Sequence, residues 1–235
     1  MANQIIITCE HAGNSVPAPY RKLFDNNPGI LNTHRGYDIG AFGLAKKCAQ
    51  RLNVTPFVHH ITRLLVDLNR SPNSNELFSE YTRSLDEETK ESVLNTYYQP
   101  HRTRVEQKIG DLIAEGERVL HLSVHTFTPE LNGAIREADI GLLFDPERPE
   151  EKRFCEAWKS LLKKKTDLNI LFNTPYPGVM DGFTTYLRTK YKVTEYVGLE
   201  IEVNQKFPQS NDIGDWEQVQ ILIADTLYQT YKEWS

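Results

Sequence analysis

Histidine and glutamate side chains stand at the ends of three apolar runs in this chain. His11 follows "IIITCE", His125 follows "LHLSV", and Glu202 closes "VGLEIE". A catalytic zinc ion takes three protein ligands, usually imidazoles and carboxylates, and keeps its fourth position for water. These residue types therefore predict metal-assisted hydrolysis, provided that the fold brings them together and a third ligand is found.

The elements that would carry these residues can be predicted from hydrophobic periodicity. Apolar runs rich in β-branched residues predict strands at 5–8, 55–61, 63–68, 118–124, 140–144, 169–172 and 197–203. Segments with apolar residues three or four positions apart predict helices at about 38–52, 86–116, 148–166, 181–192 and 215–233. This alternation predicts an α/β fold with a mostly parallel mixed sheet that is flanked by helices.

Polar residues follow several of the predicted strands. Besides His11, His125 and Glu202, the pair Asn69 and Arg70 follows "RLLVDL". The carboxyl ends of parallel strands share one edge of a sheet, where open α/β folds bind their ligands. Either histidine alone would be interpreted more simply as a hydrogen-bonded core residue, but the joint placement favours a site at this edge.

Composition limits the remaining classes of function. The chain has 235 residues, a net charge of -5 and scattered basic residues, which disfavours nucleic-acid binding. We expect one domain over residues 1–235, since no linker is evident, and a cytoplasmic protein, since neither a signal peptide nor a membrane span is apparent. Cys9, Cys48 and Cys155 are far apart and predict reduced thiols rather than disulfides. Cys9 near the site is an alternative nucleophile, although an apolar strand usually makes a cysteine unreactive.

Seven motifs in order along the chain carry a family resemblance. They are "CEHAGNSVP", "HRGYDIGA", "RLLVDLNR", "VHTFTP", "EADIGLLFD", "NTPYPGVMDGFT" and "GLEIEV", which together span residues 9–203. In these motifs the chain resembles the N-formylglutamate amidohydrolase-like family, whose fold is similar to that of the zinc carboxypeptidases and aspartoacylases. The resemblance implies hydrolysis of an N-acyl amide on an amino-acid carboxylate, with one zinc ion per chain.

The resemblance also implies roles for individual residues. His11 and His125 match metal-ligand positions, and Asn69 and Arg70 match a segment that binds the substrate carboxylate in the carboxypeptidase-like clan. Glu202 matches the catalytic glutamate of that clan. Glu200 lies on the same side of the strand and is an alternative base, but we expect it to lie deeper and to pair with Arg or Lys.

The third metal ligand departs from the pattern. Zinc carboxypeptidases use HxxE, whereas Asn14 stands in the fourth position here and is a poor ligand for zinc. The resemblance favours Asp38 in "HRGYDIGA" as the substitute. Asp38 could equally cap the helix that follows it, and Glu10 is the reserve ligand, although in extended geometry it points away from His11.

Four further positions complete the predicted site. Arg63 and Asp67 could form a pair that orients the ligands, and Arg63 is also predicted to bind substrate. Arg136 is predicted to stabilise the developing oxyanion, although a solvated arginine beside acidic neighbours is the simpler interpretation. Asn204 stands where relatives usually have arginine, which leaves the acyl group and the amino acid of the substrate open.

The sequence thus predicts a zinc-dependent amidohydrolase that acts on a small N-formyl-L-glutamate-like substrate, as a monomer or small homo-oligomer. Two alternatives remain. One is a carboxypeptidase-like peptidase that cleaves short peptides, and the other is a metal-free module that binds carboxylate ligands.

Overall fold

A computed structural model describes residues 3–234 of the chain, so that the first two residues and the last residue of the predicted domain lie outside the described part. Its strands are β1 (Asn3–Cys9), β2 (Phe57–Val58), β3 (Arg118–Phe127), β4 (Glu130–Leu131), β5 (Ala134–Ile135), β6 (Ile140–Leu143), β7 (Ile170–Phe172) and β8 (Tyr196–Asn204). Its helices are α1 (Ala41–Leu52), α2 (Glu87–Val93), α3 (Gln99–Ala114), α4 (Pro149–Lys163), α5 (Phe183–Lys190) and α6 (Ile213–Trp234). A π-helical turn, Leu94–Tyr98, joins α2 to α3, and two short 3₁₀ helices, Ala18–Phe24 and Pro28–Asn32, precede α1.

Six strands form one sheet in the order β2-β1-β3-β8-β6-β7. Strands β2, β1, β3 and β8 pair in parallel, β6 runs antiparallel to β8, and β7 pairs in parallel with β6. The short strands β4 and β5 form a separate hairpin, whose turn residues Asn132 and Gly133 both have positive φ. The predicted α/β class and mostly parallel mixed sheet are therefore confirmed.

The two faces of the sheet are covered by different helices. One face packs its alternate residues, such as Ile7, Leu122 and Ile201, against α1, α4 and α6. The other face packs Ile6 and Tyr196 against α3 and α5. Side chains alternate along a strand, so the residues next to Leu122 on β3 and next to Ile201 on β8 point to the opposite face, toward α3 and α5. The site residues of β3 and β8 belong to this second face.

The predicted strand at 63–68 is wrong. This segment forms turns, and its apolar residues pack with Leu77, Val93 and Tyr98 in a third cluster beneath α2. A short, fully buried apolar run has no period that distinguishes a strand from another buried segment. The predicted strand at 55–61 is likewise reduced to Phe57–Val58.

The five predicted helical regions are all present, with 86–116 divided by the π-helical turn. Between residues 3 and 234, none of the helices combines the length and the apolar character that crossing a bilayer requires.

Candidate active site

A pocket opens at the carboxyl ends of β1, β3 and β8, on the side of the sheet that faces α3 and α5. It measures about 600 Å³ when counted out to its mouth. The residues that line it are His11, Asp38, Arg63, Asn69, Arg70, His125, Thr126, Leu143, Tyr176, Pro177, Gly178, Met180, Asp181, Glu200 and Glu202. Seven of the eight residues predicted for the site therefore meet in one pocket, and Arg136 does not line it.

The predicted metal ligands converge on one carboxylate oxygen. Oδ2 of Asp38 lies 3.3 Å from Nδ1 of His11 and 2.8 Å from Nδ1 of His125. Among the described residues these three form the one group whose ligand atoms all lie within 4.8 Å of one another, and all three are buried. Asp38 lies 27 residues from His11 and 87 from His125, so only the fold creates this group.

The backbone around Asp38 explains why its side chain is free to face the histidines. Helix α1 starts at Ala41 with Gly40 as its N-cap, and no side chain caps it. Gly40 has φ of 91°, and a Cβ there would lie 2.7 Å from Pro208. The side chain of Asp38 therefore does not have the capping role that the sequence left open. Although burial alone would raise it, His11, His125 and Arg63 hold the pKa of Asp38 well below its usual range.

The other ring nitrogen of His11 has its own acceptor. Nε2 of His11 lies 2.7 Å from Oδ1 of Asp67, and Arg63 donates to Oδ2 of Asp67 from both Nε and Nη2. Burial alone would raise the pKa of Asp67, but Arg63 and His11 lower it well below its usual range, so that it is an ionised acceptor. An imidazole that donates its Nε2–H to a carboxylate presents the lone pair of Nδ1 to a metal. The predicted pairing of Arg63 with Asp67 is therefore present and supports His11.

Arg63 is largely occupied by this pairing. Its third contact is from Nη1 to Oδ1 of Asp38, at 3.2 Å. Three of its donors thus hold the two acidic residues that face His11. Arg63 thus balances the charge of both carboxylates and fixes their orientation, and its direct contact with substrate stays a prediction.

Glu202 is a buried carboxylate beside the three converging residues. It pairs with His125 across β3 and β8, and its Oε2 has no hydrogen-bond partner among the described residues. Burial raises the pKa of Glu202 to about 8, with Asp38 and Glu200 adding to the shift and His125 opposing it. A carboxylate that lines a pocket without a fixed partner can exchange a proton with a bound molecule.

Glu200 also lines the pocket, but it is held by a neighbour. Its Oε1 accepts a hydrogen bond from the hydroxyl of Thr184 on α5. The partner is therefore a threonine rather than the Arg or Lys expected from the sequence. Glu202 is the less constrained of the two carboxylates.

Asn69 and Arg70 reach the pocket from the turn at 68–70 rather than from a strand end. Oδ1 of Asn69 accepts a 2.7 Å hydrogen bond from the backbone N–H of Phe183, which ties this turn to the start of α5. Arg70 donates from Nε to Glu76 and from Nη1 to the carbonyl oxygen of Asp181. The Glu76 side chain is 73% exposed, so its ion pair with Arg70 is weak.

Arg136 stands behind the pocket wall. Its guanidinium lies 4.9 Å from the ring centre of Tyr176 and 5.6 Å from that of Phe127. Its Nη1 is buried and has no hydrogen-bond partner among the described residues. Tyr176 lines the pocket, whereas Arg136, whose guanidinium stacks on the Tyr176 ring, does not.

Four other residues that the sequence offered as alternatives or exceptions lie outside the pocket. Asn14 donates to the carbonyl oxygen of Leu31, and Asn204 donates to that of Ala138; neither lines the pocket. Oε2 of Glu10 approaches Nε2 of His125 rather than its Nδ1, and Glu10 does not belong to the converging group. Burial raises the pKa of Cys9 well above its usual range, which opposes its use as a nucleophile.

The pocket also contains residues that were not singled out in the sequence. Thr126 follows His125 directly, and Tyr176, Met180 and Asp181 come from the loop between β7 and α5. The only signal for this loop was the motif "NTPYPGVMDGFT", whose residues have no spacing that indicates which of them reach the pocket.

The donor set fits a zinc ion. Two imidazoles with Nδ1 turned inward and one ionised carboxylate are the ligands that a catalytic zinc site uses, and the pocket beside them is open to water. Arg63 and the two histidines supply the positive charge that keeps the buried Asp38 carboxylate ionised. A bound zinc ion would add to this positive charge.

Comparisons with known proteins give one family match and two solved structures of similar fold. The sequence profile of the family described as N-formylglutamate amidohydrolase matches residues 3–207. The crystal structure of gene product Atu2144 from Agrobacterium tumefaciens is similar with a TM-score of 0.81 and 26% identity, over 98% of this chain and 89% of that chain. N-formylglutamate amidohydrolase from Ralstonia eutropha JMP134 is similar in fold, with a TM-score of 0.71 and 15% identity over 99% of this chain and 94% of that chain. None of the curated proteins matches the chain.

Proposed function

The chain belongs to the N-formylglutamate amidohydrolase family, and we propose that it hydrolyses the amide bond of a small N-acyl amino acid. The substrate class is that of N-formyl-L-glutamate, which would yield formate and glutamate. The observation that carries this proposal is the convergence of His11, Asp38 and His125 beside the unpartnered carboxylate of Glu202. A binding module would have no use for this combination of a metal-binding group and a free base.

We propose one zinc ion per chain, held by His11, Asp38 and His125. When bound, the ion would supply a Lewis acid that polarises the amide carbonyl and lowers the pKa of water toward ~7. With the positive charge of a bound ion opposing the effect of burial on its pKa, Glu202 would accept the proton of the attacking water and deliver it to the leaving amine.

Arg70 and Asn69 are proposed to bind the carboxylate of the amino acid. A guanidinium offers two parallel N–H groups that match a carboxylate, and the exposed Glu76 is the group that a substrate would displace. Asn69 is anchored through Phe183, so its contribution is to fix the turn that presents Arg70. Arg136, whose guanidinium stacks on the Tyr176 ring, remains our proposal for stabilising the oxyanion.

A second candidate function is hydrolysis of short peptides at a free carboxyl terminus. It is favoured by a neighbouring cavity of about 1170 Å³ that shares Asp38, Arg63, Arg70, Thr126 and Tyr176 with the pocket. A substrate longer than a formylated amino acid would have space to extend into this cavity.

Metal analysis followed by a substrate screen tests both candidates. Purified protein should contain one zinc ion per chain and should release amine from N-formyl amino acids. The screen would include N-acetyl amino acids, dipeptides and the methyl ester of each substrate. Release of amine from dipeptides alone would replace the first candidate with the second, and a folded protein that neither binds zinc nor releases amine would contradict both.

A further inference from the structure

A second buried carboxylate stands on the far side of His125. Glu10 directly follows β1, and its Oε2 accepts a 2.7 Å hydrogen bond from the hydroxyl of Ser123. Oγ of Ser123 in turn lies 2.8 Å from Nε2 of His125. Glu10, Ser123 and His125 are all almost completely buried, with exposed fractions of 1%, 0% and 2%.

The strand register places the three groups in a row. Ser123 and His125 are two residues apart on β3 and therefore point to the same side of the sheet. Thr8 on β1 pairs with Ser123, and Glu10 lies two residues beyond Thr8. The side chain of Glu10 thus reaches the hydroxyl of Ser123 from the neighbouring strand.

The chemistry of the three groups determines the direction of each hydrogen bond. An ionised carboxylate can only accept, so the Ser123 hydroxyl must donate its one proton to Glu10. Its oxygen is then left as an acceptor toward His125, so Nε2 of His125 must carry a proton. The direct approach between Nε2 of His125 and Oε2 of Glu10 is 3.4 Å, which is too long for a good hydrogen bond, so Ser123 is the necessary bridge.

Asn69 does not compete with this bridge. Its amide is oriented by the hydrogen bond that Oδ1 accepts from Phe183, so Nδ2 faces Nε2 of His125. That approach is 3.4 Å, longer than the 2.8 Å between Nε2 of His125 and Oγ of Ser123, and beyond the usual range of a hydrogen bond.

We propose that Glu10 and Ser123 are positioning residues that keep Nε2 of His125 protonated and thereby direct the lone pair of Nδ1 toward the metal. This inference rests on the proposed zinc site and adds to it two residues outside the ligand set. Nε2 of His11 donates its proton directly to Asp67 at 2.7 Å, whereas Nε2 of His125 reaches its carboxylate through the Ser123 hydroxyl. Partners of this kind typically change metal affinity 10- to 100-fold when they are removed.

Two substitutions separate the contributions of the bridge and the charge. Ser123→Ala removes the acceptor for Nε2–H with the loss of a single oxygen atom. Glu10→Gln keeps an acceptor for the Ser123 hydroxyl but removes the negative charge. That charge makes His125 a stronger donor to the metal, so its loss should weaken metal binding. We expect each to weaken zinc binding about 10- to 100-fold.

Thr8→Val is the matched control. Thr8 pairs with Ser123 across the two strands, and its hydroxyl is equally buried, but it bonds Nε2 of His121 rather than His125. His121 also contacts the hydroxyl of Tyr196 and does not line the pocket. Thr8→Val thus removes a buried hydroxyl from the same part of the sheet without touching the proposed bridge.

The experiment measures zinc affinity by competition with a chelator on metal-depleted wild-type protein and the three variants. Circular dichroism and the rise in melting temperature on adding zinc accompany it, together with the visible absorption spectrum of the cobalt-substituted forms. The inference is supported if Ser123→Ala and Glu10→Gln bind zinc 10- to 100-fold more weakly, gain less in melting temperature and change the cobalt spectrum, while Thr8→Val matches wild type.

Other outcomes overturn it in distinguishable ways. Wild-type zinc affinity in both bridge variants, or an equal loss in Thr8→Val, would overturn the inference and leave the proposed zinc site intact. A wild-type protein that binds no zinc would overturn the proposed site and this inference together. Should Glu10→Gln fail to fold, Ser123→Ala alone decides, since it makes the smaller change.

Discussion

Two buried clusters of charged residues in this protein differ in how completely their polar atoms are paired. At the first, Glu151 on α4 accepts hydrogen bonds from the backbone of Asp145 and Gly198 and from Arg188 on α5. Arg188 also donates to the carbonyl oxygens of Gly178 and Gly198. Both oxygens of Glu151 thus have fixed partners.

The second cluster, in the pocket, is arranged differently. Asp38 receives two histidines at a single oxygen, and one oxygen of Glu202 has no partner among the described residues. A buried carboxylate oxygen without a partner destabilises a folded protein, so the unpaired oxygen of Glu202 at the pocket does not serve stability. The contrast suggests that pairing, rather than charge or burial, separates a structural cluster from a functional one.

The strongest test of this contrast is removal of a metal ligand. His125→Ala should abolish both zinc binding and hydrolysis while the protein remains folded, because the histidine contributes to the site and not to the apolar core. Elemental analysis beside circular dichroism would show this. Full zinc content in the folded variant would remove His125 from the ligand set.

The proposed base should have the next largest effect. Glu202→Gln should keep zinc and substrate affinity but lower kcat by roughly 10²- to 10⁴-fold, the usual contribution of a positioned base. Steady-state kinetics would be compared with those of Glu200→Gln, in which the carboxylate bonded to Thr184 is changed instead. Near-normal turnover in Glu202→Gln, with the loss in Glu200→Gln, would exchange the roles of the two residues.

In the paired cluster, the equivalent change should affect stability alone. Glu151→Gln leaves Arg188 buried without its counter-charge, which we expect to lower the free energy of unfolding by about 3–5 kcal/mol. Urea denaturation would measure the loss, and zinc content at saturating metal should stay at that of wild type. A loss of zinc without a loss of stability would invalidate the comparison between the clusters.

Arg70 tests the substrate side of the pocket. Arg70→Lys keeps the charge but not the planar fork, so KM for an N-acyl amino acid should rise by about tenfold or more, with kcat less affected. The methyl ester of the substrate is the control, since it lacks the carboxylate. If wild-type protein treats acid and ester alike, Arg70 is not the carboxylate-binding group.

The last prediction is a pH dependence of stability in the metal-free protein. Because burial raises the pKa of Glu202 from an ordinary 4.5 to about 8, the folded state holds this proton more tightly than the unfolded chain does. The contribution of Glu202 to stability should therefore be present below pH 4.5 and be lost as the pH rises toward 8. Glu202→Gln should reduce this loss, which urea denaturation at pH 5 and pH 9 would detect. An identical pH dependence in both proteins would show that Glu202 titrates normally.

The family and fold class could be predicted from the sequence. The run of motifs from residue 9 to residue 203 predicted the family that the profile match confirms, and alternating strand and helix patterns predicted the sheet. The meeting of His11, His125 and Glu202 could also be predicted from the sequence. Each lies at or beside the carboxyl end of a long strand, and parallel strands bring such ends to one edge.

The remaining residues of the pocket, such as Asp38, Asn69 and Arg70, lie on loops and turns. No rule of sheet topology predicts where a loop places its side chains. From local spacing alone, Asp38 could be a helix cap or a ligand, and the structure excludes the capping role because Gly40 occupies the N-cap position. The periodicity predicts a strand at 63–68, yet this segment forms a buried turn that brings Asn69 and Arg70 to the pocket.

The sequence by itself therefore determined the α/β class, the helical regions, the family, and the shared edge at which His11, His125 and Glu202 lie, because these follow from local periodicity and motif order. Only the tertiary structure decided which nitrogen of each histidine faces Asp38 and which carboxylate lacks a partner. Ring orientation and pairing are set by contacts between residues far apart in the chain, such as Ser123 with Glu10 and His11 with Asp67, and no spacing in the sequence encodes them.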